Sequence, residues 1–384
     1  MPRYQSSPDF TFLLSAFCFS PRLSVFQRFS FQLFLFVPLV SAQTSCDQPK
    51  VSVAMLAYNH ERFIMQAIES VLMQETDFPI ELVIGEDCST DATREIVKKF
   101  AAHYPNVIRT ILHERNVGMH RNSEAVGKAC RGHYIACLEG DDYWTCPHKL
   151  QKQVNFLDQH PDYSLCGHRV MHIFDKCPEC SPHFSPVQEE SGTIEDILRW
   201  NYLPSCSVVY RAGLLAELPA WLQQLPHGDW PLWVLLAERG RIGFFNEIMA
   251  HYRVHEGGVW MGAPLQARLA SLRKTIHAIH RHLPEAHREA RRCALFTLNL
   301  SGARDFANHA ACATSCRYLA CALLSHPLAF ARSVEVRALL QKQYDYFFVQ
   351  RGIQPLKQDY YRARIWLGAK RRAIVNSLKS AAGR

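Results

Sequence analysis

Between Lys50 and Trp144 the chain alternates between short apolar runs and longer amphipathic segments, and this alternation restricts the fold more than any other feature. The segments between the runs carry apolar residues at helical spacing on one face. Strands that alternate with helices in this way form a parallel sheet with right-handed crossovers. The sequence therefore predicts an α/β fold with a doubly wound, mostly parallel central sheet. It also predicts helix caps at Ser89 to Asp91, a helix from Ser123 to Cys130, a strand from Ser205 to Tyr210 and a helix start at Asp229. The apolar runs begin at Val51, Phe78, Val107 and Tyr134.

The fourth apolar run ends in a dense group of carboxylates. Glu139, Asp141 and Asp142 place three acids within four positions, directly after the predicted strand. Like charges this close repel, so each acid raises the cost of ionising its neighbours unless a cation offsets them. Carboxylate oxygens are hard ligands that suit Mg²⁺ or Mn²⁺. The alternative interpretation is a solvated acidic turn before the next helix.

Polar side chains also follow the first two predicted strands. Tyr58 and Asn59 come after the first strand, and Asp87 ends the second. Because parallel strands share one carboxyl edge, where open α/β folds bind ligands, we expect these residues to converge with the acids after the fourth strand. No Gly-x-Gly-x-x-Gly follows the first strand, and the chain has no Gly-Lys-Ser/Thr phosphate loop. Both observations disfavour dinucleotide-dependent dehydrogenases and P-loop enzymes.

Length and composition divide the chain into three predicted parts. A hydrophobic fraction of 48% over 384 residues excludes a disordered chain. We assign 1–48 to an atypical hydrophobic leader, 49–262 to the α/β domain and 263–384 to a helical C-terminal region. The leader could be a start codon assigned too far upstream, a membrane-targeting segment or a signal peptide. The 14 cysteines lack the spacing of a disulfide scaffold, which favours a reducing, cytoplasmic location.

The chain is basic, and its last segment is the most basic part. A net charge of +8 permits anionic partners such as sugar nucleotides or phospholipid without selecting one. The basic residues are not interleaved with aromatic residues on one face, so nucleic-acid binding is not expected. A basic end of this kind is either a solvated helix end or a peripheral contact with the inner face of a membrane. The basic residues after Asp359 are Arg362, Arg364, Lys370, Arg371, Arg372, Lys379 and Arg384.

A Cys-x-x-Cys pair, Cys177 and Cys180, stands in a stretch at 175–193 that is rich in Pro, Ser and Glu. Such a pair can contribute half of a zinc site. No second Cys-x-x-Cys or regular histidine pair completes the pattern, so a loop without metal is the default interpretation and a structural zinc site the alternative. The nearby candidate ligands are Cys166, His168, His172 and His183.

Six short motifs between Val51 and Trp260 resemble, in the same order, those of the inverting glycosyltransferases of family 2, which have the GT-A fold. Each motif is weak alone, whereas the ordered set is specific. That family more often has Pro at the position of Ala57 and Asp at that of Glu139. The motifs are Ala57-Tyr58-Asn59-His60-Glu61, Glu86-Asp87-Cys88-Ser89-Thr90-Asp91, Asn116-Val117-Gly118 with Arg121-Asn122, Glu139-Gly140-Asp141-Asp142, Gly228-Asp229-Trp230 and Tyr252-Arg253-Val254-His255.

The resemblance implies a role for each matched residue. Tyr58 would pack near the nucleotide base, and Asp87 would accept a hydrogen bond from that base, with uracil expected. Asp229 would be the general base. The divalent cation, Mn²⁺ or Mg²⁺, would be held by Asp141, Asp142 and His255. The nucleotide-binding set would be Ala57, Tyr58, Asn59, Glu61, Asp87, Arg121, Glu139 and Asp141.

The resemblance also implies a function and two halves of the domain, 49–145 for the nucleotide sugar and 146–262 for the acceptor. The enzyme would move a sugar from a nucleotide-diphosphate donor, with UDP expected, to a glycan or lipid-linked glycan hydroxyl, with inversion, in cell-surface polysaccharide synthesis. A cation would offset charge on the diphosphate, and a carboxylate would take the hydroxyl proton. One alternative is a binding protein with impaired catalysis, which Glu139 favours. The other is a sugar nucleotidyltransferase, which the lack of a Gly-rich loop at 58–61 disfavours.

Overall fold

The fold comes from a computed structural model, which describes residues 48–175, 183–258, 263–308 and 311–350, with side chains as far as residue 343. Residues 1–47 of the predicted leader lie outside the described residues, as does the basic segment after Asp359. The central element is a sheet that has ten strands among the described residues. They are β1 (Val51–Ala57), β2 (Ile80–Glu86), β3 (Ile108–Leu112), β4 (Tyr134–Glu139), β5 (Tyr143–Trp144), β6 (Tyr163–Phe174), β7 (His183–Phe184), β8 (Ser191–Gly192), β9 (Val209–Arg211) and β10 (Arg241–Val254).

Helices separate the first four strands, as the alternation predicts, and a run of helices follows the last strand. Three short 3₁₀ turns, Ser205–Ser207, Ala220–Gln224 and Glu285–His287, lie between the main elements of the described chain. The helices are α1 (Ile64–Leu72), α2 (Thr93–His103), α3 (Met119–Ala129), α4 (Lys149–Gln159), α5 (Ile194–Arg199), α6 (Asp229–Ala237), α7 (Leu265–His282), α8 (Arg288–Asn308), α9 (Cys312–Ser325), α10 (Pro327–Arg332) and α11 (Val334–Gln350).

The sheet is mostly parallel, and its strand order is β3-β2-β1-β4-β9-β6-β10-β5, with β7 beside β6 and β8 beside β10. Strands β1 to β4 run parallel to one another, and β6 runs parallel to β10. Strand β9 is antiparallel to both β4 and β6, so those two strands point the same way. The carboxyl ends of β1, β2, β4, β6 and β10 therefore lie at one edge of the sheet. The α/β architecture with C-terminal helices matches the predicted fold class.

Two hydrophobic clusters cover the two faces of this sheet. Cys166 belongs to one cluster and Leu165 to the other, and successive strand residues point to opposite faces. The first cluster combines β1, β2 and β4 with α1 and α4. The second packs α5 to α8 against β6 and β10. Both faces are thus buried, as a largely parallel sheet requires. Among the described residues, no helix has the length and apolar character that crossing a membrane requires.

Three local predictions differ from the structure. The strand predicted at 205–210 begins as a 3₁₀ turn, and only Val209–Arg211 pairs with the sheet. The helix predicted to begin at Ser123 begins at Met119, because Asn122 is buried and its Nδ2 donates to the Gly85 carbonyl at 2.8 Å. The polar residues Ser89 to Asp91, predicted as helix caps, precede a helix that begins at Thr93, with Ala92 as the N-cap residue. Asp91 does cap this helix, since its Oδ1 accepts from the Thr93 amide at 2.9 Å.

The fold separates the residues that the sequence offered as ligands of a structural zinc site. Cys177 and Cys180 lie outside the described residues. Cys166 and His168 are completely buried within β6. At about 3.3 Å per residue, His168 stands about 13 Å along that strand from His172. His172 and His183, in contrast, pair directly across β6 and β7. Cys166 and His168 are therefore excluded as partners of the two outer histidines.

Gly85 offers a test of how tightly α3 is packed on β2. A Cβ at this position would stand 2.1 Å from Asn122 Oδ1 and 2.5 Å from the Val126 side chain. We expect Gly85→Ala to lower the free energy of unfolding by about 1–3 kcal/mol through overpacking, as measured by urea denaturation. The control is Gly127→Ala on α3, where a Cβ meets nothing within 4 Å. Alanine there should stabilise the helix by about 0.5–1 kcal/mol, and equal stability of the two variants would contradict the packing argument.

Candidate active site

The loops after β1 and β2 are joined to each other at the carboxyl edge of the sheet. The Asn59 amide donates to Ser89 Oγ at 3.0 Å, and Asn59 Oδ1 accepts from the Thr90 amide at 2.9 Å. The Glu61 amide donates to Asp91 Oδ2 at 3.0 Å. The residues predicted as helix caps therefore hold the first loop in place. Asn59 and Glu61, both predicted to bind the nucleotide, support the shape of this edge.

Two non-glycine residues of these loops adopt left-handed backbone conformations. Asn59 has φ 56° and Cys88 has φ 58°. Such conformations are uncommon for residues with a side chain, and each costs of order 1–3 kcal/mol. They occur directly after neighbouring strands, where the chain turns sharply out of the sheet. Backbone strain of this kind clusters at functional sites.

Asp87 follows β2 and its carboxylate is buried. Its two oxygens accept from the backbone amides of Val117 at 2.7 Å and Gly118 at 2.9 Å. Gly118 has φ 85°, which a glycine adopts without strain. Asp87 thus holds the 116–118 loop against the sheet. Its predicted contact with the base would use the remaining acceptor capacity of these oxygens.

The other predicted nucleotide contacts differ in accessibility. Tyr58 is 42% exposed and presents its ring at the end of β1. Ala57 is buried, and its carbonyl accepts from the Asp87 amide at 3.0 Å, so only its backbone could face a ligand. Arg121 is exposed on the first turn of α3. The side chain available for stacking at this edge is therefore Tyr58.

Asp141 forms the centre of the acidic cluster through contacts with two histidines. Its Oδ2 is 3.0 Å from His255 Nε2 and 3.8 Å from His60 Nε2. Burial acts to raise the pKa of Asp141, but the hydrogen bond with His255 and the charges of both histidines outweigh it, so the pKa lies below its ordinary value. The sequence assigned no role to His60, although it lies in a motif. His255 is 7% exposed and packs against Phe63, with ring centroids 4.8 Å apart.

Asp142 is buried and directed toward β10. Its Oδ1 accepts from the Arg253 amide at 2.7 Å, and burial, followed by the charges of Asp141 and Glu139, raises its pKa well above the ordinary value. The Arg253 guanidinium donates to the Asp141 carbonyl and to Gln66 Oε1. These bonds fasten the end of β4 to the end of β10. Asp142 is thereby committed to positioning β10, and its metal role remains a prediction.

Glu139 reaches toward the acceptor half of the domain. Its Oε2 accepts from Ser205 Oγ at 2.7 Å. Burial raises the pKa of Glu139 to about 7, and the charges of Asp141 and Asp229 add to this effect. Ser205 was predicted only as part of a strand. The extra methylene of Glu, relative to the Asp usual in the family, is thus accommodated by a contact with the 3₁₀ turn.

Asp229 is the first residue of α6, where the sequence placed it. Its Oδ2 accepts from Asn201 Nδ2 at 3.2 Å. Burial raises the pKa of Asp229, partly offset by hydrogen bonds from the Trp230 amide and Asn201 and by the charge of His227. The charge of Asp229 also contributes to the raised pKa of Glu139, so the two carboxylates are near enough to interact. Asn201 carried no sequence signal as a partner of this carboxylate.

The site has the negative charge that a divalent cation requires, but its candidate ligands do not all converge on one point. Asp141 and His255 are in contact, whereas Asp142 faces β10. Among the described residues, three ligand atoms lie within 4.8 Å of one another only at Glu289, Cys293 and His326, far along the chain in the C-terminal helices. Buried acids with raised pKa values fit a cation that would offset their charge. Asp141 and His255 are the two residues best placed to hold this cation, because they are in contact with each other beside those acids.

The raised pKa of Glu139 gives a pH prediction for the metal-free protein. Its ordinary value is 4.5 and its value in the fold is about 7. The folded state therefore keeps a proton that the unfolded state loses, so stability falls as pH rises from about 4.5 to about 7. The fall attributable to this group is at most about 3 kcal/mol.

The measurement is urea denaturation in chelator at pH 4.5 and pH 7.5. In Glu139→Gln the side chain at position 139 cannot titrate. The free energy of unfolding of the native protein, relative to that of this variant, should therefore decrease as pH rises. Glu75→Gln, at an exposed acid, should show no such dependence. A stability difference between the native protein and Glu139→Gln that stays constant across this range would exclude the raised pKa.

Comparison with known proteins adds family evidence to this geometry. The family model described as Glycosyl transferase family 2 matches residues 52–215. The uncharacterized protein Rv1520 of Mycobacterium tuberculosis strain H37Rv is 40% identical over 215 residues, which are 56% of this chain and 61% of that protein. EpsE of Bacillus subtilis strain 168, whose name marks it as a candidate glycosyltransferase, is 32% identical over 213 residues, 54% of this chain and 73% of EpsE. The match thus spans about three fifths of the mycobacterial relatives.

Solved structures show the same fold. S. aureus TarS 1–349 in complex with UDP-GlcNAc has a TM-score of 0.51 at 20% identity, covering 79% of this chain and 92% of TarS 1–349. The mannosyltransferase PcManGT from Pyrobaculum calidifontis, in complex with GDP-Man and Mn²⁺, has a TM-score of 0.51 at 16% identity, covering 79% and 86%. These likenesses confirm the GT-A class predicted from the motifs. Together with the family model and the 73% coverage of EpsE, they show that the chain belongs to glycosyl transferase family 2.

Proposed function

We propose that the protein transfers a sugar from a nucleotide-diphosphate donor, expected to be UDP-linked, to a hydroxyl group of a glycan or lipid-linked glycan, with inversion. The observation that supports this most is that Glu139, at the end of β4, has its pKa raised by the charges of both Asp141 and Asp229. Acids from the end of β4 and the start of α6 are thus near enough to interact and would serve one site. A single displacement needs the leaving diphosphate and the base on opposite sides of the anomeric carbon.

The donor side of the pocket is the edge formed by β1, β2 and β4. The exposed ring of Tyr58 offers a face on which a base can stack. Asp87 and the 116–118 loop stand beside it, and their shape is fixed by the two amide bonds to Asp87. TarS was solved with UDP-GlcNAc and PcManGT with GDP-Man, and both ligands are nucleotide-diphosphate sugars. Those complexes support the donor class, while the choice of uracil rests on Asp87 and the motif it belongs to.

Asp141 and His255 would hold Mg²⁺ or Mn²⁺, with Asp142 beside them. A bound cation of this kind neutralises the negative charge that develops on a diphosphate leaving group. The protein positions the two ligands in advance. His255 packs on Phe63, and the Arg253 guanidinium lies 4.9 Å from the centroid of the same ring. PcManGT was solved with Mn²⁺, which is consistent with this choice of metal.

Asp229 would take the proton from the acceptor hydroxyl as that oxygen bonds to the anomeric carbon and the bond to the diphosphate breaks. A raised pKa makes a carboxylate a stronger base. The Asn201 amide and the Trp230 backbone amide hold the carboxylate at the start of α6. Transfer should therefore decline as pH falls through the raised pKa of Asp229. A role in cell-surface glycan synthesis, with peripheral membrane contact, completes the proposal.

Asp141→Asn tests the donor and metal site. We expect nucleotide binding to require Mg²⁺ or Mn²⁺ and to weaken at least about tenfold in this variant, because a metal ligand loses its charge. Calorimetric titration with UDP and with GDP, in the presence of the metal or of chelator, measures both effects. Glu75→Gln, an exposed acid, is the control. Equal binding of the nucleotides with chelator present would remove the metal from the proposal.

Asp229→Asn tests the base. This variant should bind UDP and metal as the native protein does. Its turnover rate should be about 10²–10⁴-fold lower, which is the usual contribution of a general base. Turnover is followed as nucleoside-diphosphate release from a panel of nucleotide sugars, with water or added glycans as acceptor. The acidic limb of the pH–rate profile should disappear with the carboxylate. Undiminished turnover would exclude Asp229 as the base.

A further inference from the structure

Strands β6 and β7 bring two imidazoles together outside the candidate active site. His172 and His183 are direct partners in the antiparallel register. Their Nδ1 atoms are 3.4 Å apart, and their ring centroids are 5.3 Å apart. His172 Nδ1 is also 3.2 Å from the His183 carbonyl oxygen. The two rings therefore present a pair of nitrogen atoms to one point on the protein surface.

The separation of these nitrogens matches a pair of ligands on one zinc ion. With Zn–N distances of about 2.0–2.1 Å and tetrahedral angles, two ligand nitrogens stand about 3.3–3.4 Å apart. For an N–H···N hydrogen bond the same separation is long. The carbonyl contact, at 3.2 Å, is at the long limit of the usual range, and a proton on His172 Nδ1 would be shared between that oxygen and His183 Nδ1.

We propose that His172 and His183 bind a zinc-type divalent cation through their Nδ1 atoms. Imidazole suits zinc, copper and nickel, whereas the hard carboxylate oxygens of the candidate active site suit magnesium and manganese. The cation would replace the shared proton. Cys177 and Cys180 stand between the two histidines in the chain, outside the described residues, and we infer the site from the two imidazoles alone. Water can supply the other ligands.

Another group of possible zinc ligands is less suitable. Glu289, Cys293 and His326 have ligand atoms within 4.8 Å of one another. His326 Nδ1 accepts from the Ala329 amide at 3.4 Å, which leaves the ring proton on Nε2, directed at Glu289 Oε1, 2.7 Å away. Glu289 also pairs with Arg292 at 3.1 Å. The side chains of that cluster already have hydrogen-bond partners. Because the cluster could also take up zinc, the experiment must distinguish it from the histidine pair.

A cation on these histidines would stabilise the strand that supplies part of the candidate active site. The His172 ring packs against Tyr252, with centroids 5.5 Å apart, and the two residues are partners in the β6–β10 register. Tyr252 directly precedes Arg253, whose backbone amide holds Asp142. The cation would thus stabilise the end of β10. This role does not require the protein to transfer sugar.

The experiment measures zinc affinity of the full chain, stripped of metal, by competition with a chromophoric chelator. Saturating Mg²⁺ is present to occupy the carboxylate site. We expect one zinc site in the native protein and at least about tenfold weaker affinity in His172→Ala and in His183→Asn. His183 is exposed, so its variant should fold even if the other does not. The controls are His103→Ala, at an exposed histidine, and Cys293→Ser, and both should keep the native affinity.

Thermal unfolding gives a second readout that does not depend on activity. Zinc should raise the midpoint of the native protein and of both controls, and leave that of His183→Asn unchanged. Unaltered zinc affinity in His183→Asn, or a loss of affinity in Cys293→Ser, would overturn the proposal. Sugar transfer can fail in every assay without affecting this result, so the two proposals are tested separately.

Discussion

The hydrogen bonds between the end of β4 and the end of β10 are the constraint on which the candidate site depends. Asp142 accepts from the Arg253 amide, and Asp141 contacts His255 two residues further on. These strands are distant in the sequence and are separated in the sheet by β9 and β6. Because β4 and β6 point the same way, both ends reach one edge. The acids and the histidine then meet at that edge.

The same bonds concentrate negative charge in a buried place, and the surroundings offset that charge unequally. Asp141 has two histidines beside it and a lowered pKa, whereas Glu139 and Asp142 have raised ones. The less compensated charges are those of Glu139 and Asp142, and the charge of Asp229 adds to the raised pKa of Glu139. Perturbed acids of both kinds in one cluster are typical of functional sites. A solvated acidic turn would show no such division.

The sequence could predict which strand ends converge on the candidate site, because parallel strands share an edge and their residues can be read in order. Tyr58, Asp87, Asp141 and Asp229 all lie at or directly beside the ends of their elements. The supporting partners could not be predicted in this way. His60, Asn201 and Ser205 act through single contacts with residues distant in the chain, and such contacts leave no periodicity in the sequence. A strand was predicted at 205–210, but the true extent of β9, Val209–Arg211, and its antiparallel direction were not, since three residues are too few to show a pattern.

The strained turns after β1 and β2 have a consequence for how a ligand would meet this edge. Asn59 and Cys88 already adopt left-handed conformations, and the Ser89 hydroxyl and the Thr90 backbone amide of the opposite loop hold Asn59 in place. The entropy of ordering these loops is therefore lost when the chain folds and not when a nucleotide arrives. A surface organised beforehand binds with a smaller penalty and rejects ligands of the wrong shape, because it cannot adjust to them.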